Sequence, residues 1–325
     1  MRAVSTACLR ATTLGALVTT VGIAAAAVSP AVAAPPTAPK QPIALAPSAI
    51  TAQLADRTLR YGQEAVVSGR IAGAGAGREV VLEHRAHGGA WHAVARGLTG
   101  PDGGYRLQAR LERSGAVRVL AGGALAATTG ASDRLGSRER SVRVAAIVGV
   151  RHRRLNVRQG GLTRVSGRVL PAIAGRRIVL ERRGRHGRWA TLARARTRSG
   201  GAYLLRHRSR SSFSAIVRVR LVGDAQLASG RRVAGRMNIL RAALASWYGE
   251  GQGLACGGSL TPGMMGVAHK TLPCGTKVTI RYRGRQVRVP VVDRGPYVGG
   301  REWDLGPGVR AALRFDGVGT VYVAH

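Results

Sequence analysis

Residues 292–305 read VDRGPYVGGREWDL, and residues 267–276 read VAHKTLPCGT. Each stretch opens on apolar residues and then breaks at Gly or Pro, which is the pattern of a short strand that ends in a turn. Asp293 and His269 stand at these two breaks. Because strand ends can meet at one edge of a small barrel, we expect the carboxylate and the imidazole to share one solvent-open groove.

The residues around these stretches predict more short β structure. Residues 277–280 (KVTI) and 286–292 (QVRVPVV) have the β-branched composition of strands, and residues 283–285 (RGR) between them predict a hairpin turn. Residues 308–313 (GVRAAL) predict a short helix. The pattern indicates a small, almost entirely β domain in residues 242–325.

The same stretches, together with ASWYG at residues 245–249, lie in the order and spacing of a known family. Residues 242–325 resemble the RlpA-like proteins, whose fold is a six-stranded double-psi β-barrel. The resemblance implies that the barrel binds peptidoglycan glycan strands and cleaves them as a lytic transglycosylase. It also implies that Asp293 and His269 are the catalytic residues, with Asp293 as the acid/base and His269 assisting.

Cleavage of a glycosidic bond requires an acid for the leaving oxygen and a base for the nucleophile. In a lytic transglycosylase the nucleophile is the sugar's own 6-hydroxyl, so one carboxyl can serve both steps. The side chains that we expect to contact substrate are Tyr248, Glu250, Arg294, Tyr297 and Trp303. Each aromatic is equally compatible with a core position, and we expect Trp247 in the core. Asp304 is expected to be structural, either capping the helix or pairing with an arginine such as Arg294.

One acidic residue of the family pattern is missing. Active RlpA-like transglycosylases carry a glutamate in the segment before the histidine. Here residues 255–260 read ACGGSL without a carboxylate, and the nearest acid before His269 is Glu250. Related barrels in the expansins bind glycan and loosen walls without hydrolysis. Two functions therefore remain open for the barrel, glycan cleavage and non-hydrolytic, expansin-like binding.

The chain has three cysteines, Cys8, Cys256 and Cys274. Cys8 lies in residues 1–34, which predict a signal peptide and would be removed, so Cys256 and Cys274 remain. In an oxidising compartment such a pair predicts one disulfide. The alternative is a metal pair with His269 as a third ligand, although the spacing lacks the Cys-x2-Cys element of common zinc sites. The pair also resembles the variant found in secreted actinobacterial RlpA-like proteins. We expect no metal and no organic cofactor.

Upstream of the barrel the sequence repeats itself at an offset of 98 residues. VSGR at residues 67–70 returns at 165–168, Trp91 returns as Trp189, and Tyr105 returns as Tyr203. A fixed offset of this size indicates a duplicated domain rather than a solenoid unit. Short β-branched runs separated by Gly, Ser and Asp predict two tandem immunoglobulin-like β-sandwiches, residues 48–146 and 147–241, with the tryptophans in their cores. The fold class predicted for the whole chain is therefore all-β.

Positive charge is concentrated in the second repeat. The formal net charge is +36, and residues 151–241 contain 24 arginines but two acids. Such a balance predicts an anionic partner, for which we expect anionic wall polymers. We expect no nucleic acid, because helical or aromatic readout elements are missing. The alternatives are a polycationic wall adhesin and an arginine-biased composition without a partner.

The N-terminus predicts export. Residues 1–34 combine Arg2 and Arg10 with an apolar run and small residues suited to cleavage, which is typical of a signal peptide. Residues 35–47 are rich in Pro and Ala and predict an extended linker. We therefore expect a secreted, cell-wall-associated protein that touches the membrane only through the signal segment before cleavage. The alternative is that this segment stays as an anchor.

Overall fold

The computed structural model describes residues 50–122, 135–184, 186–249 and 253–325. The predicted signal peptide and linker lie outside these residues. The described chain is almost entirely β, as the sequence predicts, with 22 strands and one α-helix. None of its helices is long and apolar enough to cross a membrane.

The first repeat contains nine strands in two sheets. The strands are β1 (Gln53–Leu54), β2 (Thr58–Arg60), β3 (Glu64–Arg70), β4 (Glu79–Ala86), β5 (Trp91–Leu98), β6 (Gly104–Arg110), β7 (Gly115–Ala121), β8 (Leu135–Gly136) and β9 (Arg140–Ala145). One sheet has the order β1-β3-β6, and the other has the order β2-β9-β7-β4-β5 with β8 beside β7. Along β6, Tyr105, Leu107 and Ala109 are buried and alternate with exposed residues, as expected for a sheet with one core face.

The second repeat has the same two-sheet plan. Its strands are β10 (Ile147–Arg154), β11 (Asn156–Arg158), β12 (Leu162–Leu170), β13 (Arg177–Arg183), β14 (Trp189–Arg196), β15 (Ala202–Arg208), β16 (Phe213–Leu221) and β17 (Arg231–Trp247). One sheet has the order β10-β12-β15, and the other has the order β14-β13-β16-β17 with β11 beside β17. One hydrophobic cluster continues through both repeats. The immunoglobulin-like topology and the boundary between residues 146 and 147 stay predictions.

The predicted core positions of the two tryptophans are wrong. Trp91 and Trp189 are only partly buried, and neither belongs to the buried cluster. The guanidinium carbons of Arg85 and Arg118 lie 4.7 and 4.2 Å from the Trp91 ring centroid, and that of Arg218 lies 3.9 Å from the Trp189 centroid. Both rings therefore stack against arginines at the surface, a contact that attracts the cation to the ring face.

The C-terminal domain is a closed six-stranded barrel, as predicted. After β17 it contains β18 (Val267–Ala268), β19 (Lys277–Tyr282), β20 (Arg285–Asp293), β21 (Trp303–Leu305), α1 (Pro307–Leu313) and β22 (Gly319–Ala324). The order is β17-β21-β18-β20-β19-β22, and β22 closes the ring by pairing with β17. The predicted hairpin turn is present at Arg283 and Gly284, both with positive φ, between the paired residues Tyr282 and Arg285.

Strand β17 belongs to both the second repeat and the barrel. Its first half pairs with β16 and β11, and its second half pairs with β21 and β22. The predicted boundary between residues 241 and 242 therefore falls inside one continuous 17-residue strand. The barrel nevertheless has a hydrophobic cluster of its own, in which Trp303, Val291 and Val321 are fully buried.

Candidate active site

The short strand β18 lies between the two aspartates of the barrel. Its Ala268 pairs with Asp293 of β20 on one side and with Asp304 of β21 on the other. Neighbouring strands are about 4.8 Å apart, so the two aspartate Cα atoms are separated by roughly 10 Å. On the far side of β21, Ser246 of β17 pairs with Asp304. The barrel thus brings two carboxyls to neighbouring positions at one end of its sheet.

The backbone holds the carboxylate of Asp293 in place. Its Oδ1 accepts hydrogen bonds from the backbone N–H groups of Ala255 and Arg294, both at 2.8 Å. Two donors on one oxygen fix the orientation of the side chain, although Asp293 is only partly buried. The loop that carries Ala255 is therefore part of the site even though it supplies no carboxylate.

The carboxyl of Asp304, unlike that of Asp293, is described with no backbone N–H donor. Burial raises the pKa of its carboxyl, and the negative charge of Asp293 adds to that rise, while Ser246 and Arg301 partly oppose it. Its buried Oδ1 has no hydrogen-bond partner among the described residues. The helix N-cap is Gly306 without a side-chain cap, and no described ion pair includes Asp304. Asp304 therefore has neither of the structural roles that the sequence suggested.

Tyr248 lies close to both aspartates. Its hydroxyl is buried without a hydrogen-bond partner among the described residues. Burial raises the pKa of the phenol, and the negative charges of Asp293 and Asp304 raise it further. The hydroxyl therefore keeps its proton and is available as a donor.

His269 belongs to a second cluster. Its Nδ1 accepts hydrogen bonds from the backbone N–H groups of Thr271 and Leu272, both at 3.1 Å, and its ring centroid lies 4.4 Å from that of Trp303. Its Nε2 lies 3.6 Å from Glu302 Oε1. Burial lowers the pKa of the imidazole, and Glu302 partly offsets this effect. The ring is therefore a neutral imidazole at neutral pH.

The two predicted catalytic residues are joined by a backbone hydrogen bond and not by their side chains. The N–H of His269 donates to the carbonyl of Asp293 at 3.1 Å. No contact in the described ranges joins the imidazole to the Asp293 carboxylate. The imidazole is 12% exposed and packs with the second cluster, so the structure brings the two strand ends together but separates their side chains.

Glu302 is a site residue that the sequence reasoning missed. Arg241 of β17 pairs with it through both guanidinium nitrogens, one at 2.7 Å, and this hydrogen bonding lowers the pKa of the Glu302 carboxyl. The charge of Glu302 faces His269. Its position in the stretch 292–305, two residues before Asp304, is the one signal in the sequence that could have found it.

Arg294 and the disulfide order the loop after His269. The guanidinium of Arg294 donates to the carbonyls of Leu272 at 2.9 Å and of His269 at 3.3 Å. Its other nitrogen lies 3.3 Å from the sulfur of Cys274. The predicted bridge between Cys256 and Cys274 is present, so neither sulfur is a free thiolate for a metal.

The remaining predicted substrate contacts differ in position. Tyr297, on the loop after β20, is 83% exposed and free to stack on a ligand. Trp303 is fully buried under His269, so the expectation that it contacts a sugar is corrected: its alternating position on β21 faces the barrel core. Trp247, which we expected in the core, is only partly buried: it packs against the core cluster and lies under the guanidinium of Arg310. Glu250 lies outside the described residues.

The sequence of the barrel matches a known protein family. The family model described as "Lytic transglycolase" matches residues 241–325. The probable endolytic peptidoglycan transglycosylase RlpA of Synechocystis sp. is 40% identical over 89 residues, which cover 25% of this chain and 28% of the relative. The endolytic peptidoglycan transglycosylase RlpA of Campylobacter jejuni is 40% identical over 85 residues, which cover 25% and 31%. The chain thus spans less than a third of the length of these relatives.

Comparison with solved structures adds one distant neighbour. A tetra-tandem repeat from the extending region of a large adhesion protein is 14% identical, with 84% of this chain and 72% of that chain covered, at a TM-score of 0.30. A score this low does not bear on fold or function. The family match and the closed six-stranded barrel together show that residues 241–325 are an RlpA-like double-psi β-barrel domain of the lytic transglycolase family.

Proposed function

We propose that this chain is an exported cell-wall protein whose barrel binds peptidoglycan glycan strands and cleaves them by the lytic transglycosylase reaction. The curated relatives of the barrel are named for that reaction. The observation that carries the proposal is the carboxyl pair: the partly buried Asp304 has a raised pKa, and the backbone holds the carboxyl of Asp293 in place near it. A carboxyl with a raised pKa beside a second carboxyl is an arrangement suited to cleavage of a glycosidic bond.

In the proposed step, Asp304 is the acid and then the base. Its carboxyl donates a proton to the glycosidic oxygen while the bond between C1 and that oxygen breaks. The 6-hydroxyl oxygen of the same sugar attacks C1, and its proton passes to the Asp304 carboxylate. The products are an anhydro-sugar end and a free hydroxyl end, so no water is consumed and Asp304 finishes protonated. This assignment moves the acid/base role from Asp293, where the family resemblance placed it.

Asp293 is proposed to stabilise the positive charge that develops at C1. A carboxylate fixed by two N–H donors needs little reorganisation when that charge appears. Tyr248, whose buried hydroxyl has no described partner, is proposed to donate to a substrate oxygen between the two carboxyls. Tyr297 is proposed to stack on a sugar ring, as its exposure allows.

His269 and Arg294 are proposed as positioning residues. The neutral imidazole packs on Trp303 and orders the backbone beside Asp293. Arg294 ties that backbone to the loop that reaches the disulfide. Glu302 fixes the imidazole from the other side. Together these contacts keep the end of β18 in register between the two aspartates.

Non-hydrolytic, expansin-like binding is the second candidate. It is favoured by the segment 255–260, which supplies a backbone donor to Asp293 but no carboxylate. Glu302, the other acid near the site, is already paired with Arg241. Under this alternative the same groove holds the glycan without breaking it.

The experiment is digestion of purified peptidoglycan by the full chain, with anhydro-sugar products measured by mass spectrometry. We expect products from the wild type, and a rate about 10²–10⁴-fold lower in Asp304→Asn, the usual worth of an acid/base group. Asp316→Asn is the matched control, because Asp316 lies in the same domain and its side chain is 85% exposed. Its rate should equal that of the wild type.

Two results would decide against cleavage by Asp304. The first is that the wild type releases no products but is retained on peptidoglycan, and that Asp293→Asn is not retained. This result would establish the binding alternative. Full activity of Asp304→Asn, with loss of activity in Asp293→Asn, would return the acid/base role to Asp293.

A further inference from the structure

The outer face of the sheet β10-β12-β15 carries an array of unneutralised arginines. We call it the arginine face, and define it by residues that are all exposed: Arg154, Arg164, Arg168, Arg206 and Arg208. The two acids of residues 151–241 are both engaged elsewhere, Glu181 with Arg218 and Arg220, and Asp224 with Arg176. No described ion pair includes a member of the face. Its positive charge is therefore open to solvent.

The strand register aligns three of these arginines. Arg154 of β10 pairs with Arg164 of β12, and Arg164 pairs with Arg206 of β15. They form a row across the sheet with steps of about 4.8 Å between strands. Arg208 lies two residues further along β15, and Arg168 lies four residues further along β12 in the opposite direction. Two residues along a strand span about 7 Å, so the arginines are spaced regularly over the face in both directions.

The first repeat has the same face with less unpaired charge. Its Arg110 and Arg70, equivalent to Arg208 and Arg168 at the 98-residue offset, pair with Glu64 at 3.4 Å and with Asp102 at 2.5 Å. In the second repeat these two acids are replaced by Leu162 and Gly200. The equivalent arginines therefore lose their partners while the fold is kept.

Two further positions add charge. Val66 and Gln108 of the first repeat, which pair with each other across β3 and β6, correspond to Arg164 and Arg206. At one position the second repeat loses a charge, because Arg106 of the first repeat corresponds to Leu204. Because the first repeat folds with an apolar and an amide side chain in this row, the fold does not require the arginines. Like charges directly opposite each other destabilise a sheet, so the array opposes folding unless an anion occupies it.

We propose that the arginine face binds a linear polyol-phosphate polymer, a chain of phosphodiester groups joined by short flexible polyols. Guanidinium groups present paired donors that match phosphate oxygens. The five arginines are all exposed and spread over three strands, so affinity has to come from several phosphates at once. A flexible polymer can place successive phosphates on the row and on the arginines that flank it.

A nucleic-acid strand fits the face less well. Single-stranded nucleic acid is normally held by aromatic side chains on which bases stack, in addition to cations. On β12 and β15 the outward positions between the arginines are Leu162, Ser166, Ala202 and Leu204, and none of these is aromatic. On β10 the exposed His152 pairs with Ser166 and is the one ring beside the arginines of these three strands. The face therefore provides several contacts for phosphates and a single imidazole for a base.

The test measures binding of the full chain to poly(glycerol phosphate) at about 50 and 200 mM salt. The variant Arg164→Val/Arg206→Gln installs the residues of the first repeat, and we expect the Kd to rise at least about tenfold. We expect the slope of log K against log salt to become shallower by about 1.4, since the variant removes two cations and each phosphate contact contributes about 0.7. The matched control is Arg188→Gln/Arg194→Gln, which removes two exposed charges on the other side of the repeat. Its Kd should change less than threefold.

A gain of function gives a second readout. The variant Val66→Arg/Gln108→Arg adds the row to the first repeat, and we expect it to tighten binding of the same polymer. Equal losses in the test and control variants would overturn the proposal in favour of bulk charge. An unchanged Kd in the test variant would overturn it outright, and tighter binding of a single-stranded oligonucleotide of equal charge would replace it with a nucleic-acid site. Because the probe contains no glycan bond, each result is independent of cleavage by the barrel.

Discussion

Two buried phenols show how differently the repeats and the barrel treat a polar group. In the second repeat the hydroxyl of Tyr203 donates to the carbonyl of Gly149 at 2.8 Å, and Tyr105 makes the equivalent bond to Thr51 in the first repeat. In the barrel the hydroxyl of Tyr248 is buried without a described partner. A buried donor without a partner costs stability, and at Tyr248 we propose that the substrate supplies the missing partner.

Two carboxyls, the buried Glu181 and the partly buried Asp304, show the same contrast. Glu181 of the second repeat accepts hydrogen bonds from both Arg218 and Arg220, and these bonds lower its pKa against the effect of burial. No described ion pair joins Asp304 of the barrel to an arginine, and burial raises its pKa more than Ser246 and Arg301 lower it. In the repeats these polar groups hold the fold through the bonds that they make. In the barrel the Tyr248 hydroxyl and Asp304 Oδ1 have no described partner, and they lie where we propose that substrate binds.

The largest expected effect on stability is at Glu181. In Glu181→Gln the two arginines lose a buried counter-charge, and we expect the free energy of unfolding to fall by about 3 kcal/mol or more. In Asp304→Asn no ion pair is broken, and we expect no loss at pH 7. Chemical denaturation of both variants measures the difference. An equal loss in the two variants would show that Asp304 is as structural as Glu181.

The two phenols predict a smaller effect that also separates stability from activity. Tyr203→Phe removes a satisfied hydrogen bond and should lower the free energy of unfolding by about 1 kcal/mol without changing glycan cleavage. Tyr248→Phe removes an unsatisfied hydroxyl and should leave stability unchanged while lowering the cleavage rate. Thermal unfolding and product release are the measurements. The comparison would fail if Tyr248→Phe were the less stable of the two.

The smallest effect is the pH dependence of stability, and its sign differs between two carboxyls of the barrel. The native pKa of Asp304 is raised above its ordinary value of 3.8, so its contribution is fully present below about pH 3.8 and is lost as the pH rises through the native pKa. The native pKa of Glu302 is lowered below 4.5, so its contribution is present above about pH 4.5 and is lost in acid.

The matched variants should therefore diverge. Relative to the wild type, Asp304→Asn should gain stability as the pH rises from 4 to 7. Glu302→Gln should lose about 1 kcal/mol over the same range, because the bond to Arg241 then lacks its charge. Denaturation midpoints at several pH values give both curves. Parallel curves would mean that the two carboxyls have the same environment.

Much of the fold could be predicted from the sequence. The repeat at an offset of 98 residues indicates the duplicated two-sheet domain. Turn residues and short apolar runs predict the hairpin at Arg283 and Gly284 and the short helix. The cysteine count predicts the disulfide. The boundary at residue 242 was less predictable. A strand that continues from one sheet into the next has no turn residue at the crossing, and β17 is such a strand.

Individual residues of the candidate site could be predicted from the sequence, but which side chains contact each other could not. Asp293 and His269 could be identified as strand-end residues, whereas the separation of their side chains depends on which groups each one meets in the barrel. The role of Asp304 depends on how far its carboxyl is buried and on which groups surround it in the folded barrel, and a sequence pattern does not show that environment. The same holds for Trp91, whose exposure depends on two arginines from other strands.

The most direct test of the central claim is the titration of the Asp304 carboxyl carbon by NMR, in the wild type and in Asp293→Asn. We predict a pKa above the ordinary value of 3.8 in the wild type, and a lower value in the variant once the neighbouring charge is gone. A wild-type carboxyl that titrates at or below 3.8, or one that does not respond to Asp293→Asn, would contradict the account.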